Sequence, residues 1–275
     1  MCMVLMTLLM TGCDMEEYMA DYKSEMVVEG WIESGEFPVV MVTRTFPVME
    51  AKVDVKRLSD YILKWAVVKV TCGDETVILT GKYDQRYYPP YIYTTGEMRG
   101  EEGKTYTLTV DYRDMHAKAE ATIPKSPTLD SVQIGRVPQC DTLRTLTACF
   151  ADPVHERNYY QLFVRKGASD GQFLTAYHGC MSDRTLGTYT RVPVYQGHRY
   201  DTKDYTPYFA VGDTVAVKLA QLDSISFSFW KEYEEAIDLH GNFMFPKSTN
   251  LPTNVQGGSG CWYGMGGALK WLIVK

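Results

Sequence analysis

Between Thr105 and Tyr112 the side chains alternate without a break. Tyr106, Leu108, Val110 and Tyr112 fall on one side, and Thr105, Thr107, Thr109 and Asp111 on the other. A period of two belongs to a half-buried β-strand and fits no helix. Arg113-Asp114-Met115 turns the chain, and Ala117, Ala119, Ala121 and Ile123 alternate on the return. Small residues thus stand where the facing Tyr and Leu side chains need room. Pro124 and Pro127 end the hairpin, and a run of short strands closing on Pro-Lys-Ser-Pro is what a first β-sandwich and its linker look like. The boundary between two domains is placed near residue 125.

Other strand signals surround this one. Glu25 to Glu33 and Phe37 to Thr45 read as a hairpin across Ser34-Gly35, and Ala66 to Thr71 and Thr76 to Thr80 as a second across Gly73-Asp74. Residues 46–64 carry no clear period. Beyond the boundary, Ser131 to Val137, Leu143 to Phe150 and Tyr159 to Arg165 are read as strands, as are Val215 to Leu219 and Leu269 to Val274. The stretch 166–208 is rich in Gly, Tyr, Thr and Asp without a sustained period and is read as long loops. At Ser224 the period changes to that of a helix, expected over 225–238, with Phe227, Trp230, Tyr233, Ala236 and Ile237 on one face and Ser224 or Ser226 as its cap. The glycines at 257, 258, 260, 264, 266 and 267 read as tight turns. The expected fold is mainly β: two tandem β-sandwiches, immunoglobulin-like or transthyretin-like, over 25–125 and 126–275, with one short C-terminal helix.

The first twelve residues carry no charge and are shorter than the roughly 20 residues a bilayer-spanning helix needs. They match the apolar core of a signal peptide, residues 1–12. Met10-Thr11-Gly12-Cys13 is similar to a bacterial lipobox, in which small residues precede a cysteine that is lipidated and becomes the new N-terminus. Cys13 is therefore the expected lipidation site and the membrane anchor. Asp14, Glu16 and Glu17 make the start of an acidic tether, 13–24, and resemble an export signal that places lipoproteins on the outer face of the outer membrane.

Composition excludes some functions. Of 275 residues, 34 are acidic and 28 basic, a net charge of −6, with no Lys/Arg run dense enough to track a phosphate backbone. Nucleic acid is excluded as a partner. The five histidines are scattered, outside any H-E-x-x-H or G-x-S-x-G context. Asp152, His155 and Glu156 could approach one cation, but a polar turn explains them better. Glu232, Glu234 and Glu235 could supply paired carboxylates, yet their helical face reads as solvated. Neither a catalytic residue nor a metal ligand nor a cofactor is assigned, and the chain is expected not to be an enzyme. The five cysteines after Cys13 (Cys72, Cys140, Cys149, Cys180 and Cys261) include no C-x-x-C and leave room for one or two disulfides, with buried thiols the simpler account. Twenty tyrosines remain to be explained. Tyr87, Tyr88 and Tyr91 in the first domain, and Tyr195, Tyr200, Tyr205 and Tyr208 in the second, combine flat apolar area with hydroxyl donors. They are the candidate contact surface for a glycan, a peptide or a protein partner.

Several short motifs occur in a specific order: Cys13 with its acidic tether, Val27-Val28-Glu29-Gly30-Trp31-Ile32, Gly103 to Leu108, Asp130-Ser131-Val132, Asp152-Pro153, Asn158-Tyr159-Tyr160, the helix from Ser224 to Tyr233, and Pro252 to Gly260. Together they resemble the Bacteroidota outer-membrane lipoproteins grouped as domain of unknown function 4249, across nearly the whole mature chain. The resemblance implies an outer-membrane lipoprotein, often encoded beside a TonB-dependent receptor, and so an accessory subunit that captures a ligand or caps a transporter. It supplies no catalytic residues. An adhesive or structural surface module that binds host or matrix polymer is the alternative, and an enzyme acting on glycans or peptides is a third reading.

Overall fold

The computed structural model of the chain describes residues 23–45, 59–153, 157–167, 172–183, 187–197, 205–239 and 251–275. Cys13, Asp14, Glu16, Glu17, His155, Glu156 and Tyr200 lie outside them. The fold is mainly β, in two sheets, with one long C-terminal helix among the described residues.

The first half follows the expected hairpins. β1 (Met26–Glu33) and β2 (Val39–Arg44) pair antiparallel. β3 (Val67–Cys72) and β4 (Glu75–Tyr83) pair across Gly73, and β5 (Tyr91–Thr94) joins β4 to β2. β6 (Thr105–Tyr112) and β7 (Met115–Thr122) pair so that Tyr106 stands opposite Ala121, Leu108 opposite Ala119 and Val110 opposite Ala117. All six are buried, so each alanine accommodates the large side chain across from it, as the alternation requires.

The second half begins after Pro124 with β8 (Ser131–Val137), β9 (Cys140–Ala151) and β10 (Tyr159–Lys166). The stretch expected as long loops carries two strands, β11 (Leu174–Ser182) and β12 (Tyr189–Val194). β11 escaped detection because its register on β10 shifts between Gln161 and Phe163 and His178 adopts a φ of 52°, which breaks the alternation. β13 (Phe209–Ala210), β14 (Thr214–Leu222), the helix α1 (Ser224–Leu239) and β15 (Ser259–Ile273) complete the chain. β8, β12 and β13 all pair with β9 in a four-stranded sheet, whose inner face packs Leu146, Ala148 and Phe150 against Leu162, Val217 and Leu219 of β10 and β14.

β15 does not start at Leu269, as the sequence pattern implied, but ten residues earlier, and it ties the halves together. Its first part runs parallel to β1, with Val27 opposite Ser259 and Glu33 opposite Met265. Its second part runs antiparallel to β14, with Gln221 opposite Gly266 and Thr214 opposite Ile273. The eleven-stranded sheet is therefore continuous from β11 through β14, β15 and β1 to β7, and the division at residue 125 separates the chain without dividing this sheet. The first-half strands curl until β7 meets the segment before β15, where Lys118 and Gln256 exchange backbone hydrogen bonds of 2.9 and 2.8 Å.

The glycines read as turns lie largely within or beside this strand, and their role is close approach. A Cβ on Gly264 would stand 2.5 Å from the Thr122 carbonyl oxygen, and one on Gly266 would strike that of Pro124. Trp262, in the same strand and buried in the core, donates its indole N–H to the Tyr106 carbonyl at 3.0 Å.

Candidate functional site

Helix α1 creates the concave surface of the second half. Its cap is Asp223, not a serine: the Asp223 carboxylate accepts the Ser226 N–H at 2.7 Å. Ser226 is buried and turned toward Cys261. The helix packs on the outer face of β10, β14 and β15 through Phe229 and Trp230, so the buried stripe is rotated from the expected one. Trp230 meets Tyr263 edge-on at 5.7 Å and Phe163 at 6.3 Å. Phe227, expected in the stripe, instead packs at a tilt against Tyr159, with ring centroids 4.8 Å apart.

That displaced ring pair belongs to a cleft of about 420 Å³ between the first two turns of α1 and the adjoining parts of β10 and β11. Ser224, Ser228 and Lys231 face it from the helix, and Arg157, Ser182 and Asp183 from the strand side. Two cations, three hydroxyls and the positive end of the helix dipole favour an anionic group, while Asp183 can accept from a donor. The size is that of a small-molecule site. Glu234, the one carboxylate of the acidic trio turned inward, accepts the Cys180 N–H at 3.0 Å and is raised above the usual carboxylate range by burial. The burial of Cys180 likewise raises its thiol. Among the described residues, neither a histidine nor a second carboxylate beside Asp183 lines the cleft, and no cluster able to hold a metal ion occurs.

A second feature runs along the outer face of the sheet beside the cleft. Tyr87 packs on Trp31 at 6.0 Å, Trp31 stacks on Tyr263 at 6.1 Å, and Tyr263 meets Trp230. This aromatic row crosses from the β4–β5 connection through β1 and β15 to α1. Glu29 lies in the same row of β1 as Trp31, opposite Cys261. Desolvation pushes its carboxyl up from 4.5 to about 7. Burial first, and the Glu29 charge second, raise the Tyr233 and Tyr263 hydroxyls.

The Glu29 shift predicts a pH dependence. The folded carboxyl keeps its proton to about pH 7, the unfolded one only to about 4.5, so the folded state binds more protons in between. Stability is then greatest at the acid end of that window and falls as pH rises through it. Glu29 keeps part of its solvent contact, which limits the loss to about 1–3 kcal/mol. Glu29→Gln is expected to remove this slope in urea titrations between pH 5 and 8. A slope unchanged by the substitution would assign it elsewhere.

The tyrosines named from sequence separate. Tyr87 is half-buried in the aromatic row, and Tyr91 donates to the Lys64 carbonyl at 3.0 Å. Tyr88 precedes a cis proline in the same loop. Tyr205 donates to the Gln196 carbonyl at 2.8 Å and meets Tyr177 edge-on, and Tyr195 and Tyr208 flank Gln196 and Phe209 in sequence. Asp152 is structural, buried and accepting from Tyr160 at 2.7 Å and Asn158 at 3.2 Å. Cys72, Cys140, Cys149, Cys180 and Cys261 are all free thiols. Sequence reasoning missed Glu29, Arg157, Ser182 and Lys231. The one available signal was Glu29 itself, an acid within the outward row Val27, Glu29, Trp31 of a strand otherwise rich in large apolar residues.

The model of the family described as Domain of unknown function (DUF4249) matches residues 14–266. No curated protein matches the chain.

Proposed function

We propose that this chain, which belongs to the DUF4249 family, is a lipid-anchored outer-membrane subunit that faces the cell exterior and binds a nutrient for a TonB-dependent transporter without chemistry of its own. The cleft beside α1 carries the reading. It offers cations, hydroxyls and a tilted ring pair for holding a small ligand, and among the described residues its lining supplies no acid–base pair for transforming one. The signal-like residues 1–12, Cys13 and the acidic Asp14, Glu16 and Glu17 support anchoring and export. The half-buried end of the aromatic row, Trp31 and Tyr87, gives a partner protein flat area to cover. A glycan or peptide fragment with an anionic group fits the cleft best.

Mild detergent extraction of native membranes, followed by purification through a C-terminal tag, is the test. The expected product is a complex with an outer-membrane barrel of the TonB-dependent class, with lipid on the Cys13 peptide by mass spectrometry. A chain recovered alone under conditions that keep other barrel complexes intact would refute the transporter association.

A further inference from the structure

We infer that the end of the first-half sheet at which the tether enters rests on the phospholipid surface, with Trp65 inserted at the headgroup level. This rests on the lipid-anchored reading of Cys13. Trp65 is 87% exposed, the most exposed large apolar side chain among the described residues. Full hydration of an indole is what a headgroup contact would relieve, because the ring is amphipathic and partitions to the membrane–water boundary.

Its position is fixed by bonds to the tether's point of entry. Ser24 donates to the Thr45 carbonyl at 3.0 Å, and the Thr45 N–H to that of Glu25 at 2.9 Å, so residues 24 and 25 are held against the end of β2. The same end of β2 holds the segment before Trp65: Thr43 bridges Ile62, and the Leu63 N–H donates to the Val42 carbonyl at 3.0 Å. Lys23, where the described chain begins, is ten residue steps from Cys13. Even fully extended, those steps span only roughly 35 Å, so a lipid on Cys13 keeps this end of the fold near the bilayer.

The chemistry around Trp65 is that of an interfacial surface. Val67 follows it at 45% exposure. Tyr83, 66% exposed, is two residues beyond Gly81, which lies against the Tyr91 hydroxyl bonded to Lys64. Arg44 lies over the Tyr61 ring at 5.4 Å, and Arg113, in the hairpin turn beside the start of β3, over Tyr112 at 5.3 Å. Lys23, Lys64 and Lys82 add exposed cations at this end, against the exposed acids Glu25, Asp60 and Asp114. Asp84 is already paired with Arg86, and Asp111 stands 2.8 Å from the His116 ring. Exposed rings and basic side chains thus stand together where the acidic tether enters the fold, the amphipathic composition that suits a membrane–water boundary.

The test uses the full lipidated chain in vesicles of phosphatidylethanolamine and phosphatidylglycerol whose acyl chains carry bromine. Wild-type emission is expected to fall relative to unbrominated vesicles, and Trp65→Phe, at a side chain the core does not use, is expected to abolish that fall. The Cys13 peptide mass and flotation with the vesicles report the anchor separately. A chain that is lipidated and floats but shows no Trp65-dependent quenching overturns the contact and leaves the anchor standing. A Cys13 peptide without lipid overturns both.

Discussion

Replacing Lys218 by methionine is expected to lower the free energy of unfolding by roughly 3–5 kcal/mol, read as a shift of the urea midpoint. The Lys218 ammonium on β14 stands 2.6 Å from the Glu33 carboxylate at the end of β1, and the two side chains are only 7% and 16% exposed. The strand between them is β15. Glu33 reaches across it above Gly267, where a Cβ would stand 2.7 Å from the carboxylate and 3.3 Å from the Lys218 stem. The rings of Phe163 and Phe173, 5.1 and 4.4 Å from the ammonium, keep water from one side. Removing the cation leaves the largely buried Glu33 carboxylate without its ion-pair partner, and that desolvation dominates the cost. The double substitution Glu33→Met with Lys218→Met removes both charges and is expected to recover most of the loss. A single-variant loss under about 1 kcal/mol would mean that the pair behaves as a surface one.

This pair also shows where sequence reasoning runs out. Glu33 and Lys218 are 185 positions apart, and neither looks unusual in its own strand. Local period was sufficient for β6 and β7, because their partners follow one another through a short turn and the Tyr–Ala complementarity lies within the pattern itself. It was sufficient for α1 as an element, but not for its orientation, since Phe227, Phe229 and Trp230 leave two adjacent stripes of similar apolarity and the sheet beneath chose between them. It failed for β11, whose bulge breaks the alternation, and for the first half of β15, where glycine hides strand propensity. The cleft followed the same logic. Arg157 and Ser182 come from strand ends and Lys231 from the helix, so only the β10–β11 register and the helix orientation bring them to one concavity. Of the tyrosines conspicuous in the sequence, Tyr87 packs in the aromatic row, while Tyr91 and Tyr205 make loop hydrogen bonds.

Gly260→Ala is expected to cost about 3 kcal/mol or more, because two separate physical limits are exceeded at once. The backbone there has a φ of 112°, a conformation that side chains other than glycine's rarely adopt. A Cβ would also collide with the Val28 carbonyl oxygen of the paired strand. Gly212 separates the two effects. Its φ of 94° imposes a comparable backbone demand, but no atom lies within 4 Å of where its Cβ would be. Gly212→Ala should therefore carry only the conformational penalty, about 1–2 kcal/mol. The difference between the two variants measures how tightly β15 is held to β1. Among the described residues that contact is the only backbone ladder joining β10 and β14 to the curled first half, so relaxing it should lower the cooperativity of unfolding as well as its midpoint, with a smaller denaturant slope for Gly260→Ala than for Gly212→Ala. Equal losses and equal slopes would show that the β1–β15 pairing is not what couples the halves.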